Sequence, residues 1–412
     1  MPEHSGIAEN RRGDGVLMTG TTGFVGMAVL ARYLEHTDRT VFALVRAGSD
    51  REAAARTRNV LRALFGPRHP YAKRVVPLRG DVTAPDLGLA RRCDAVAEQV
   101  NEVVHGAASV SFELRLKEAR EINVEGTREM LEFAERADAR GGIRRFSYIS
   151  TAYVAGAHSG CFSEDDLEVG QRFRNAYEQS KFEAESYVTQ TRDRLPVTIM
   201  RPSIVVGERS NGWTVSFNGL YWPLRAFARG VYTALPARRE APVDIVPVDY
   251  VADATFALAQ MREAEGATFN LTAGSQTTSV GELVELATAF FERPAPLLLD
   301  PFVYRRVVHP VLSTVVRDGR IRRALARSRV FFPYFTASVR YDDRRARAVL
   351  HGTGIEQTPL HTYFDRLVAF ALASGWGRTQ IPRSRAASEL RPEGERSESA
   401  NGRSKARLVA AG

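Results

Sequence analysis

In the stretch NAYEQSKFEAES, Tyr177 and Lys181 stand four residues apart, so on a helix the phenol and the ammonium share one face and can serve one site. Such a pair suits proton transfer to a developing oxyanion. A phenol of reference pKa about 10 is a poor acid–base catalyst near neutral pH, and an ammonium held nearby stabilises the phenolate and lowers that value. The spacing alone also occurs on ordinary surface helices. What gives the pair meaning is the set of elements that would have to position it.

A second group lies near the start of the chain. VLMTGTTGFVG carries Gly20, Gly23 and Gly26 at G-x-x-G-x-x-G spacing, between a predicted first strand and its helix. Glycine is needed there for a tight turn, for close approach of backbone to a pyrophosphate and for close packing of helix on sheet. With Thr22, Phe24 and Val25 it forms a turn whose free N–H groups would face phosphate at the helix N-terminus.

Arg46 ends the second predicted strand, TVFALV, where an NAD enzyme would offer an acid to the ribose. A guanidinium fits a 2′-phosphate instead, so NADP(H) is the expected cofactor. After the third strand, Asp81 could accept from the adenine amino group and the Val82 amide could donate to its ring. After the fourth, the small residues Gly106, Ala107 and Ala108 leave room for the dinucleotide across the strand ends. His105, in the same stretch, reads as a buried histidine packed under that loop.

The elements that must hold these residues are legible as near-continuous apolar runs. GVLMTG, TVFALV, RVVPLRGD, NEVVHGAA, RRFSYIST and PVTIMRPS alternate with helical stretches, and TFNLTAG adds a further strand. Val124, Thr127, Leu131 and Ala134 mark one helix face. The pattern predicts an α/β fold, a Rossmann-type doubly wound parallel sheet with a smaller, mostly helical substrate lobe. The expected division is a flexible lead-in at 1–13, a dinucleotide-binding domain at 14–206 completed by about 243–273, a lobe at 207–242 and 274–380, and a disordered tail at 381–412.

Composition sets bounds. Of 412 residues, 44% are hydrophobic and 25% charged, an ordinary globular balance. Cys93 and Cys161 are the only cysteines, so no disulfide framework or thiolate metal cluster is expected; both are read as structural, Cys161 in a loop. No metal is called for, no long uncharged apolar run suggests a membrane span, and a cytoplasmic location is expected. The net charge of +9 sits in one place: between Phe302 and Leu350 there are twelve arginines against three aspartates.

The motifs TGTTGFVG, LVRAGS, GDVTAPDLGL, VVHGAASVSF, INVEGTREMLEFA, YISTAYVAG, YEQSKFEAE and VTIMRPSIVVG, in this order from Gly15 to Gly207, resemble the extended short-chain dehydrogenases/reductases. The branch they resemble contains the fatty acyl-CoA reductases and the thioester-reductase domains of carboxylic acid reductases and peptide synthetases. Beyond Gly207 the likeness is looser.

The resemblance implies that Tyr177 and Lys181 are the catalytic pair and that Thr151 is the hydroxyl residue, with Ser150 as fallback. It implies that Pro202, Ser203 and Ile204 border the nicotinamide, and that Asn123 either helps hold the active site or is structural. The implied reaction is NADPH-dependent reduction of an acyl thioester, on coenzyme A or an acyl carrier protein, to aldehyde or onward to alcohol. No acyl-enzyme is required.

Two alternatives stay open: an extended enzyme acting on a nucleotide sugar or hydroxysteroid-like alcohol, and a non-enzymatic dinucleotide-sensing regulator. Trp213, Phe217, Leu220, Tyr221, Trp222 and Phe227 are candidates to line an acyl pocket or to fill the lobe's core. The basic segment at 302–350 could dock a phosphate-bearing carrier or touch a membrane surface peripherally; nucleic acid is not expected, since no recognition motif accompanies the charge.

Overall fold

The computed structural model describes residues 13–300 and 334–389, together with Tyr304 and Arg306. Its centre is a sheet of seven strands: β1 (Gly15–Thr19), β2 (Val41–Val45), β3 (Val75–Arg79), β4 (Val100–His105), β5 (Arg145–Ile149), β6 (Val197–Pro202) and β7 (Thr268–Leu271). Every neighbouring pair runs parallel, in the order β3-β2-β1-β4-β5-β6-β7. The order reverses between β1 and β4, where a doubly wound sheet opens a crevice at its carboxyl edge.

Both faces of the sheet are covered, which is why its strands read as unbroken apolar runs. Alternate residues feed opposite cores: Val16 and Met18 of β1 enter one cluster, Leu17 the other. Helix α1 (Phe24–His36) is buried over most of its length and packs on the later helix Val248–Gln260, with Tyr33 edge-on to Phe256 at 5.0 Å and Arg32 paired with Asp253. Helix α2 (Asp50–Phe65) starts at Ser49, whose side chain accepts from the Glu52 amide. Helix α3 (Gly126–Gly141) buries Thr127, Leu131 and Ala134 as the spacing predicts. Val124 is buried one turn earlier, in a π-helical turn at Glu121–Glu125.

A third apolar cluster lies apart from the sheet. Helices α4 (Ala176–Gln190), α5 (Tyr221–Ala228), α6 (Val248–Gln260), α7 (Val280–Phe291) and α8 (Phe364–Ala373) follow in order. α5, α7 and α8 supply Leu224, Phe227, Val284, Phe291, Phe364 and Leu367 to that cluster. Short ladders trim it: Ala234–Pro236 pairs with Leu297–Leu299, and Pro242–Val243 with Thr278–Ser279.

Three expectations change. The tail expected to be disordered from 381 begins with helix α9 (Arg383–Glu389). The Arg383 guanidinium bonds Glu208 and, at 2.9 Å, Glu35, while the Trp213 indole donates to the Ile381 carbonyl at 3.0 Å. Its partners lie far away in sequence, so local composition could not reveal it; residues 390–412 lie outside the described residues.

Cys161 sits in a short strand, Ser159–Phe162, paired parallel with Ser338–Tyr341, and not in a loop; it is exposed, whereas Cys93 is buried. Most of the 302–350 segment lies outside the described residues. In its described part, Arg344, Arg345 and Arg347 pair with Asp342, Asp165 and Asp343, so the charge there is largely internal. Among the described residues, no helix is long and apolar enough to cross a membrane.

Candidate active site

A cleft of about 1130 Å³ runs along the carboxyl edge of the sheet and into the third cluster. Its first wall is the glycine turn. Gly20 has φ +76°, and a Cβ there would sit 2.6 Å from the Gly106 carbonyl; a Cβ on Gly26 would sit 2.1 Å from the Gly20 oxygen. Only glycine fits either contact. Gly23 caps α1 without a side-chain bond, which leaves the first N–H groups of the helix free for phosphate. The turn therefore suits a dinucleotide.

Thr22, Gly23, Phe24, Val25, Arg46, Asp81, Val82 and Ala107 line this end of the cleft. The Asp81 carboxylate accepts from the Thr83 amide at 3.0 Å and its hydroxyl at 2.9 Å, which fixes its direction. Arg46 does not stand alone. Arg56, on α2, bonds the Arg46 backbone carbonyl and reaches Thr22 Oγ1 at 3.5 Å, so a second arginine lines the cleft beside the turn. Sequence reasoning missed Arg56; the cue was its place on the helix that follows the second strand.

Beneath the cofactor end, His105 is buried between Thr19, 2.8 Å from Nδ1, and Thr127, 3.1 Å from Nε2. Burial, reinforced by the Lys181 charge, lowers it to about 3, so it is neutral at physiological pH and acts as a strut. Asn123 is an anchor too. Its amide group exchanges bonds with Ser109 N and O at 2.7 and 3.1 Å and donates to Ser180 Oγ at 2.9 Å, tying the loop after β4 to α4.

Helix α4 carries the reactive pair. Asn175 caps it by accepting from the Glu178 amide at 3.0 Å, while Glu178 reaches back to the Arg174 amide at 2.8 Å. Glu185 fastens it to the sheet. Its Oε1 takes two bonds from Arg201 of β6, at 2.8 and 2.6 Å, and its other oxygen accepts from Ser150. The Ser150 hydroxyl is thereby committed, although the residue lines the cleft.

Tyr177, Lys181 and Thr151 all line the cleft. Thr151 Oγ1 accepts from the Tyr153 amide at 3.2 Å and lies 3.4 Å from the Pro202 carbonyl, to which it donates. Lys181 Nζ, expected from the sequence to stabilise the Tyr177 phenolate from nearby, donates to Tyr148 Oη at 2.7 Å and the Ile149 carbonyl at 3.0 Å. Burial pushes the Tyr177 phenol up to about 12, against the pull of the Thr151 hydroxyl beside it. Burial lowers Lys181 to about 7, opposed by the Glu185 charge.

An aromatic group unforeseen from the sequence surrounds the phenol. Phe112 lies 5.6 Å from Tyr177 and, stacked, 5.6 Å from Tyr334, whose ring is 5.0 Å from Tyr153. The Tyr334 hydroxyl donates to Glu178 at 2.7 Å and accepts from Asn175 at 2.8 Å. Tyr334 thus joins the α4 cap from more than 150 residues away, and nothing local marks it.

Past Pro202, Ser203 and Ile204 the cleft becomes apolar, walled by Leu220, Leu224, Phe227, Leu235, Leu283 and Val284. Of the six lobe candidates, Leu220, Trp222 and Phe227 line this end. Trp213, Phe217 and Tyr221 do not: Trp213 packs on Phe24, and Phe217 on Tyr221 and Phe370.

The NAD-binding family described as male sterility protein matches residues 18–255, from the glycine turn through α4 into α6. The chain belongs to this family. It has the NAD(P)-binding fold of the extended short-chain dehydrogenases/reductases. It is 29% identical over 280 residues to fatty acyl-CoA reductase wat of Drosophila melanogaster, covering 60% of this chain and 54% of that protein. It is also 29% identical over 263 residues to a linear gramicidin synthase of Brevibacillus parabrevis, covering 62% of this chain and 5% of that protein.

Among solved structures, the terminal R domain from the myxalamid PKS-NRPS biosynthetic pathway matches with TM-score 0.77 and 27% identity, over 89% of this chain and 92% of that one. The chain spans about half the length of the fatty acyl-CoA reductases it matches. For this member of the family, the residues that would handle cofactor and proton converge on one cleft.

Proposed function

We propose that this reductase uses NADPH to reduce an acyl thioester, carried by coenzyme A or by a carrier protein, to an aldehyde. The observation that carries the reading is the continuity of the cleft, from Arg46 and Arg56 past Thr151 and Tyr177 to an apolar end. An apolar end suits an acyl chain; a sugar would leave its hydroxyls without partners there. Two guanidinia beside the glycine turn favour a 2′-phosphate.

Bound NADPH would supply the hydride. As it reaches the thioester carbon, the C=O pair moves onto oxygen, and Tyr177 with Thr151 would donate hydrogen bonds to that charge. Tyr177 then gives its proton, leaving a hemithioacetal. The hemithioacetal hydroxyl returns its proton to the Tyr177 phenolate as the C=O bond reforms and the C–S bond breaks, the thiolate takes a proton from solvent and leaves as thiol, and aldehyde remains. A phenol held up near 12 stays protonated throughout the neutral range, a weaker acid than a free phenol but one that can still give its proton to an alkoxide-like oxyanion. Further reduction to alcohol would repeat the first step on the aldehyde.

The test is NADPH oxidation against acyl thioesters with identification of the product. Aldehyde and free thiol in equal amounts are expected, with at least about a hundredfold loss in Tyr177→Phe, the scale of a general acid. Full turnover by a folded Tyr177→Phe protein would reject the role of the phenol.

A further inference from the structure

Helix α5 carries a charge that the reaction does not use. Arg225 borders a small cavity of about 180 Å³, walled by Phe217, Trp222 and Trp376, and Trp222 and Asn218 face both this cavity and the main cleft. The space would hold about six waters at liquid volume. The Arg225 Nε is buried and bonds nothing, and among the described residues no carboxylate pairs with this side chain. Two other arginines with a buried free Nε, Arg145 and Arg192, still spend their remaining nitrogens on Thr198, Met261 and Thr268.

Two more positive charges act on Arg225: Arg229 caps the C-terminus of α5, and Arg378 lies two residues beyond Trp376; both are exposed. Burial, and then the charges of Arg229 and Arg378, hold the Arg225 guanidinium below its ordinary value, and no acid acts on it in the opposite sense. Among the described residues none of these three arginines pairs with a carboxylate, and like charges that act on one another repel. The arrangement is costly unless an anion joins it, and guanidinia recognise phosphate through forked, charge-assisted bonds.

We propose that Arg225, with Arg229 and Arg378, forms a phosphate site in the small cavity that adjoins the substrate cleft across Trp222, and that it holds the phosphate of the 4′-phosphopantetheine arm that carries the acyl group. The inference rests on the thioester reading and deepens it. The ligand must carry its phosphate at a distance from its thioester, since Arg225 belongs to a separate cavity reached across Trp222. Coenzyme A and carrier-bound substrates share that chemistry.

Binding tests it without turnover. Titration calorimetry of the full chain with 4′-phosphopantetheine and with pantetheine should give about tenfold or more tighter binding of the phosphorylated ligand, the worth of a charge-assisted bond. The ratio should fall toward one in Arg225→Gln. Arg378→Ala and Arg229→Ala, at exposed positions where folding is not at stake, should reduce it in part.

A ratio near one in the wild type, or an undiminished ratio in all three variants, overturns the proposal. Coenzyme A and a phosphopantetheinyl-serine peptide distinguish the sources. A larger loss for coenzyme A on Arg378→Ala assigns the outer charges to the nucleotide phosphates, and an equal loss assigns the site to the shared arm alone. Failure of the thioester reading would look different: no NADPH oxidation with any acyl thioester, and the phosphate preference intact.

Discussion

Lys181 illustrates how burial sets the working state of a residue. Its ammonium is enclosed and lowered to about 7, so charge is present below that pH and lost as pH rises through it. With NADPH limiting, kcat/KM reports the free site, and an alkaline limb is expected near 7. The Tyr148 hydroxyl accepts from that ammonium, and the ring lies 4.2 Å from Nζ. Tyr148→Phe removes an acceptor from a buried cation, disfavours the charged form and should move the limb to lower pH. A pH profile superimposable on wild type would mean that Tyr148 only packs. At the other end, Arg46 and Arg56 divide the selectivity between them. Arg46→Ala with Arg56→Ala should raise KM for NADPH about tenfold or more and leave KM for NADH little changed, which steady-state kinetics with both cofactors would reveal. Either arginine alone should give a smaller effect, since the other remains beside the same turn.

Helix α4 carries Tyr177 and Lys181, and its hold on the sheet is ionic. Glu185 and Arg201 are both essentially inaccessible, with side chains 0% and 2% exposed. Breaking one partner of such a pair leaves the other charge buried, at about 3–5 kcal/mol. Glu185→Gln should therefore unfold at markedly lower denaturant, whereas Ser150→Ala, which removes one donor to the same carboxylate, should cost only about 1 kcal/mol. Equal effects would mean that the ion pair is not the anchor. The sequence announced α4 but not this attachment. Tyr177 and Lys181 were singled out by the YEQSK motif together with the family resemblance, and the seven strands by apolar runs that a doubly covered sheet needs. Nothing local distinguishes Glu185 from a solvated helix charge, because what makes it structural is Arg201 on β6. Tyr334 and α9 were hidden for the same reason: each draws its role from residues remote in sequence. The short ladders of the lobe, two or three residues long, have too few positions for alternation to register.

Across the whole molecule, the cleft joins two separately packed bodies of apolar residues, and this division predicts separable kinetics. The glycine turn, Arg46 and the Asp81 loop hang from the parallel sheet, while Leu235, Leu283 and Val284 belong to the cluster of α5, α7 and α8. A substitution on the α7 side should change which acyl group is accepted without disturbing the cofactor end. Val284→Phe inserts volume where the chain would lie, at a packing cost of about 1–3 kcal/mol. It should lower kcat/KM for long acyl thioesters far more than for short ones, with KM for NADPH held near wild type. One missing or extra methylene in an apolar pocket is worth roughly 10- to 200-fold at most. The discrimination should therefore appear as a graded fall with chain length, measurable in a series of acyl thioesters of increasing length. A uniform fall across the series would instead mean that α7 acts through the stability of the lobe, and that the acyl group lies elsewhere in the cleft.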